Sequence, residues 1–353
     1  MIDANLNRSS EGLRVLEDVA RFLLNDAELS QRLRTLRHDL AQEAKSLSVG
    51  LLSQRDSEHD VGARMGASYE PETKQSLQDL SGLVTANAKR VEESLRVIEE
   101  LAKLQEVSST LNSASFEQTR FALYTLEQEL ISRISRRDKI ERIAGLYVIL
   151  DRQFLTGRDE LDIAGQIIKG GARIIQLRDK QSKKGELLLV AQKLKELCSQ
   201  AGGLFIINDY LDLAMAVDAD GLHVGQEDLP LPVIRKELSI DKIVGCSAST
   251  LSQATKAQAE GADYIAVGSI FPTVTKKGAT VVGVDMLKEL KRTVATPLVA
   301  IGGINQNNVG EVVSASADAV AVISAVLGEK DVRGAVQRLI SKMDLAKEEC
   351  QNQ

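Results

Sequence analysis

From about residue 140 onward the chain repeats one pattern, and that pattern limits the possible folds more than any other feature. A short apolar run ends in a polar or glycine-containing segment, and a stretch with helical spacing follows. The runs are Leu146–Asp151, Ala172–Lys180, Leu204–Asp209, Gly221–Asp228, Ile243–Ser249, Tyr264–Phe271, Pro297–Gly303 and Ala319–Ala325. Eight alternating strand and helix units predict a (β/α)8 TIM barrel. An open doubly wound sheet is the other candidate. The phosphate-binding first turn that such sheets often carry is missing after the first run.

Residues 1 to about 140 follow a different grammar. They are rich in Leu, Glu, Arg and Ala, and apolar residues recur at helical spacing, as in Leu13, Leu16, Ala20, Leu23 and Leu24. ANLNRSSEGLRVLEDVA, from Ala4, is echoed by ANAKRVEESLRVIEELA, from Ala86. The offset is 82, and nine of these seventeen positions match. An all-α helical domain with an internal repeat is expected, each copy adding a second amphipathic helix, roughly 28–47 and 111–133. The charged stretch 132–139 reads as the junction. The expected division is 1–140, 141–343 for the barrel and a tail over 344–353.

At 353 residues the chain is long enough for two such domains. Its net charge of −6 argues against a general nucleic-acid surface. No apolar run approaches the roughly 18 residues of a membrane span. The polar start, MIDANLNRSSEG, is unlike a secretory signal. Three widely spaced cysteines fit the cytoplasm better than a disulfide framework. Three histidines without a HExxH cluster make a His-rich metal site improbable.

In such a barrel the chemistry lies at the C-terminal ends of the strands. The second run ends in QLRDK, where alternation points Gln176, Arg178 and Lys180 the same way. An amide and two cations there suit an anionic, phosphorylated small molecule, although a solvated strand end accounts for them equally well. Asn208 and Asp209 end the third run and Asp228 ends the fourth. Two carboxylates beside cations fit Mg2+ shared with a substrate phosphate. Ser247 ends the fifth run, and Thr273, Thr275 and Lys276 lie in a loop that could close over ligand. Gly302-Gly303 and Ile323-Ser324 lie at the ends of the seventh and eighth runs, past the expected strands, where backbone N–H groups often hold phosphate. His223 reads as a satisfied core histidine. Electrostatic handling of phosphate esters fits this inventory better than covalent catalysis.

QLRDK, NDYLDLAMAVDADGLHVGQEDLP, GCSAS, AVGSIFPTVTKKG, VAIGGI and AVAVISAV together resemble the thiamine-phosphate synthase family, over roughly 145–327. The resemblance implies a transferase. It joins hydroxymethylpyrimidine diphosphate to thiazole phosphate, with diphosphate leaving first. It implies that Gln176, Arg178, Lys180, Asn208, Ser247 and Lys276 hold the pyrimidine diphosphate, and that Asp209 and Asp228 bind Mg2+. Thr273, Thr275, Gly303, Ile323 and Ser324 would hold the thiazole phosphate. Arg178, Lys180, Ser247 and Lys276 would act in catalysis. Many members have histidine where Ser249 stands and proline where Ser269 stands. The related thiazole tautomerase shares the barrel and is the alternative. DANLNRSSEGLRVLEDVARF and DVGARM resemble a helical module described as an alternative hydroxymethylpyrimidine-phosphate kinase, which would use ATP. A helical half that only scaffolds stays open. So does a homo-oligomer, because the repeat could bury a partner face.

Overall fold

The computed structural model describes residues 1–44, 79–105, 107, 111–273 and 280–351. DVGARM, Thr275 and Lys276 lie outside the described residues. The chain forms two compact units, Met1–Ser135 and Arg136–Gln353.

The first unit is helical: α1 (Ile2–Asp18), a π-helical turn over Val19–Leu23, α2 (Ala27–Ala44), α3 (Leu80–Ala102) and α4 (Ser113–Glu141), whose last residues, from Arg136, belong to the second unit. The internal repeat is visible in burial. Asn5, Leu6, Ser9, Gly12, Leu13, Leu16 and Glu17 are buried in α1, and each residue 82 positions later is buried in α3. The two helices meet closely at Gly12, where a Cβ would lie 2.5 Å from Val91 Cγ2 and 3.1 Å from the Asn87 carbonyl oxygen. Buried Glu17 accepts hydrogen bonds from Arg34 and Arg37 of α2, both at 3.0 Å. Its counterpart Glu99 accepts from Arg120 of α4 at 3.1 Å. Burial raises both carboxyls, but these cations outweigh it and hold them below the usual carboxylate range.

Residues 132–139, whose charge reads as a junction, are helical and continue α4. Their cations have defined partners. Arg136 lies 2.9 Å from Asp263, Lys139 lies 2.9 Å from Asp241, and Arg137 pairs with Glu141 one turn on.

Glu92 of α3 and Glu127 of α4 repel each other. Burial and then Glu127 push the Glu92 carboxyl from its ordinary 4.5 up to about 7. The folded state therefore holds this proton more tightly than the unfolded chain. The destabilisation grows as pH rises from 4.5 toward 7 and is complete above that. Glu92→Gln should slow amide exchange in α3 and α4 at about pH 8 and leave it unchanged below about pH 4, where both states are protonated. Equal slowing at both pH values would contradict the assignment.

The second unit is a closed parallel barrel in the order β1 to β8. The strands are β1 (Gly145–Asp151), β2 (Ile174–Arg178), β3 (Leu204–Asn208), β4 (Gly221–Val224), β5 (Ile243–Ala248), β6 (Tyr264–Val267), β7 (Leu298–Ile301) and β8 (Ala319–Val322). The connecting helices are α5 (Glu160–Gly170), α6 (Lys184–Gln200), α7 (Leu211–Ala216), α8 (Leu231–Glu237), α9 (Leu251–Ala259), α10 (Gly283–Thr293) and α11 (Val309–Ser314). Then α12 (Ser324–Leu327) and α13 (Val332–Gln351) follow β8. Residues 344–351, read above as a tail, continue α13 and bury Ala346.

Each of the eight apolar runs contains a strand, as periodicity predicts. Alternation sorts the strand residues between two cores. Tyr147, Ile149, Ile174, Ile206, Tyr264 and Val299 belong to the barrel interior. Val148, Ile175, Phe205 and Val244 pack outward against the helices. Gly245 makes room for Tyr264: a Cβ there would lie 2.0 Å from the ring.

Candidate active site

The interior phase of each strand carries its polar residues to the C-terminal mouth. Gln176 sits one layer down, buried, and donates to the Tyr147 hydroxyl at 2.7 Å. Tyr147 and Tyr264 share a hydrogen bond of 3.0 Å, and Tyr264 lies 3.1 Å from His223 Nδ1. His223 Nε2 lies 2.9 Å from Ser247 Oγ. A buried hydrogen-bonded chain thus crosses the barrel from Gln176 to Ser247. Burial pushes the His223 imidazole down to about 4, so it is neutral near neutral pH. With both ring nitrogens engaged, it orients Ser247 rather than exchanging protons with a substrate.

Above this layer the charged residues gather. Arg178 ends β2 against the buried Asp151 carboxylate, which is held in turn by the Gln153 N–H at 3.1 Å. Lys180 lies just past the strand and is half exposed, with its ammonium 3.1 Å from Asp209. Strict alternation would turn Asp209 away from the interior phase of Asn208. Its backbone is left-handed, φ +64°, and that conformation brings its carboxylate to Lys180. The Asp209 N–H donates to the His223 carbonyl at 2.8 Å, which ties β3 to β4 there. A strained non-glycine residue held by its surroundings is a common mark of a functional position.

Asp228 reaches the same place from the turn after β4. Its carboxylate accepts from the Gly225 N–H at 2.7 Å and lies within hydrogen-bonding reach of Asp209. Burial and the Asp228 charge push the Asp209 carboxyl up, by more than Lys180 pulls it down. Two carboxylates this close need a proton or a cation between them. Their oxygens could hold a divalent cation that completes its shell with water and ligand oxygens, as Mg2+ commonly does. Among the described residues no cluster of three or more His, Cys, Asp or Glu forms a metal site of its own.

Asn208 is buried at the end of β3, and the half-buried Ser247 ends β5. The Gln226 amide donates to the Ser247 carbonyl at 2.6 Å. Thr273 stands after β6, half-buried. Gly302 and Gly303 follow β7 with φ +99° and +69°, and the Gly303 carbonyl accepts from Asn308 at 3.0 Å. Ile323 precedes α12, whose exposed first residue is Ser324. N–H groups in a first helical turn have no intrahelical partner and suit an oxyanion.

Two departures from the family pattern have clear local roles. Ser249 Oγ donates to Gln253 Oε1 at 3.0 Å, at the start of α9. Ser269 Oγ donates to the Phe271 carbonyl at 2.7 Å. Sequence reading missed Tyr147, Tyr264 and Asp151. All three share the interior phase of their strands, which is the signal that could have found them.

The chain is similar to known proteins in both of its units. A family model for thiamine monophosphate synthase matches residues 146–326, and one for the ThiD2 family matches residues 1–129. A thiamine-phosphate synthase of Synechocystis sp. is 37% identical over 344 residues, 97% of this chain and 95% of that one. One from Thermosynechococcus vestitus is 36% identical over 347 residues, 97% and 94%. A solved thiamine phosphate pyrophosphorylase from Pyrococcus furiosus superposes with a TM-score of 0.55 at 37% identity, covering 59% of this chain and 98% of that one.

Proposed function

The chain belongs to the thiamine-phosphate synthase family, and from that premise we propose that its barrel joins a hydroxymethylpyrimidine diphosphate to a thiazole phosphate, giving thiamine phosphate and diphosphate. The observation that carries this reading is the meeting of Lys180, Asp209 and Asp228 at neighbouring strand ends. The reaction breaks the bond between the pyrimidine methylene carbon and the diphosphate oxygen. Both electrons leave with diphosphate, and the thiazole nitrogen then supplies the pair for the new carbon–nitrogen bond. Negative charge collects on the departing group, so fixed cations lower the barrier most where they meet it. Unit charges 4 Å apart interact by about 4 kcal/mol at an effective dielectric near 20.

Arg178 and Lys180 bind the leaving diphosphate, together with Lys276. Gln176, Asn208 and Ser247 orient the pyrimidine, and the neutral His223 fixes the Ser247 hydroxyl. Thr273, Thr275, Gly303, Ile323 and Ser324 receive the thiazole phosphate. Asp209 and Asp228 hold Mg2+, which when bound offsets diphosphate charge. The tautomerase alternative needs an acid or base near the end of β5. Ser249 stands there, with its hydroxyl committed to Gln253. The three cysteines are free, consistent with a cytoplasmic setting.

For the helical unit, the ThiD2 family match supports ATP-dependent phosphorylation of hydroxymethylpyrimidine phosphate, the step that supplies the barrel. One assay tests both halves. Full-length protein is given thiazole phosphate and Mg2+ with either the pyrimidine diphosphate or the monophosphate plus ATP. Thiamine phosphate from both mixtures is expected. Product from the diphosphate alone would remove the kinase reading and leave the helical half a scaffold or a unit of another function. No product from either would overturn the barrel reading.

A further inference from the structure

The helical unit carries a set of charged side chains that make no ion pair among the described residues. The repeat retains Asn, Arg and Glu at equivalent positions, as Asn5, Arg8, Glu11 in α1 and Asn87, Arg90, Glu93 in α3. Spacing of three keeps each set on one helical face. Members of both sets, Asn5, Arg8, Glu11, Arg90 and Glu93, line one cavity of about 500 Å3.

Other charges retained in the repeat have partners within the fold. Glu17 and Glu99 are buried under arginines from α2 and α4. Arg14 pairs with Asp18 at 3.5 Å, and Arg96 with Glu99 at 2.8 Å. Arg8, Glu11, Arg90 and Glu93 differ: among the described residues none of them makes an ion pair, although both Arg–Glu spacings would allow one. Among the described residues Arg90 donates one side-chain hydrogen bond, of 3.4 Å, to Asn87. Two guanidinium groups on one cavity repel each other until an anion lies between them, and their planar forks match phosphoryl oxygens. The volume is that of a small-molecule site.

We propose that this cavity binds a phosphorylated small molecule, its phosphoryl oxygens held by Arg8 and Arg90 and its N–H or O–H donors received by Glu11 and Glu93. This deepens the kinase reading of the helical unit and rests on it for the chemistry that follows binding, not for the site itself.

The test uses the full chain, phenyl phosphate as probe and phenylglyoxal modification of arginines read residue by residue by mass spectrometry. Phenyl phosphate should slow modification of Arg8 and Arg90 while leaving exposed Arg14 unaffected. Arg8→Ala and Arg90→Ala should each weaken phenyl phosphate binding roughly tenfold or more, the loss of a charge-assisted contact. Arg→Lys at either position keeps the charge, loses the fork, and should recover only part of the affinity. Both arginines are exposed, and unchanged amide-exchange protection in α1 and α3 verifies the fold of the helical unit in each variant. Equal modification of Arg8, Arg90 and Arg14 with and without probe would overturn the site. ATP-dependent turnover that survives in the Arg8→Ala, Arg90→Ala double variant would also overturn it while keeping the kinase. Protection at both arginines without ATP turnover would keep the site and remove the kinase.

Discussion

Lys180→Ala should lower kcat for thiamine phosphate formation by roughly 10²-fold, the scale of removing one charge-stabilising group from a transition state. The effect should fall on kcat more than on KM, because charge on the leaving diphosphate is greatest in the transition state. Two features make this variant a clean probe. The Lys180 side chain is 51% exposed, so its removal leaves no cavity and the melting temperature should barely move. Its ion pair to Asp209, at 3.1 Å, is worth little to stability at that exposure. Loss of the ammonium also removes the charge that opposes Asp228 at Asp209, so the Asp209 carboxyl should rise further. Lys276→Ala should act on the same scale. Near-normal turnover in both variants, measured by steady-state kinetics, would end the diphosphate assignment.

Asp209→Asn should separate function from stability even more sharply. The substitution removes a carboxylate that burial and Asp228 already disfavour, and asparagine adopts the left-handed backbone at least as readily as aspartate. The variant should melt at or above the parent temperature. Its activity at fixed Mg2+ should fall by roughly 10²-fold or more, because changes even beyond the direct ligands commonly cost 10–100-fold in metal affinity. Added Mg2+ should recover part of the rate. Asp228→Ala should likewise raise the Mg2+ requirement, but it also frees the Gly225 N–H and so should lose some stability. A higher melting temperature paired with lost activity is what strain held for function predicts. An unchanged Mg2+ titration in both variants would show that these carboxylates do not hold the ion.

The fold was legible because its signals are local. A run such as Leu204–Asp209 shows both its strand and its polar end within six residues, and the same period recurs around the barrel. The phase of Gln176 and Arg178 could likewise be read within β2. What the sequence hid depends on register between distant strands. Tyr147 and Tyr264 are 117 residues apart, and nothing near either one announces their shared hydrogen bond. Asp209 was legible as a strand-end acid, but its left-handed backbone was not, since it goes with contacts to His223 and Lys180 on other parts of the chain. The stretch 132–139 reads as the junction, and the two compact units do divide within it, between Ser135 and Arg136, but charge density alone does not show that it is helical. Its partners, Asp241 and Asp263, lie about a hundred residues on. The repeat of α1 and α3 was plain, yet the contrast between retained charges that form ion pairs and those that form none among the described residues needed the packed helices.

The account's central claim is that Lys180, Asp209 and Asp228 form a site where diphosphate and Mg2+ bind together. Calorimetric titration of the full-length protein with inorganic diphosphate, with and without Mg2+, tests this most directly. Binding should be strong with Mg2+, weaken by tenfold or more without it, and weaken to a similar extent in Asp209→Asn even when Mg2+ is present. Diphosphate binding that is indifferent to both Mg2+ and Asp209 would contradict it.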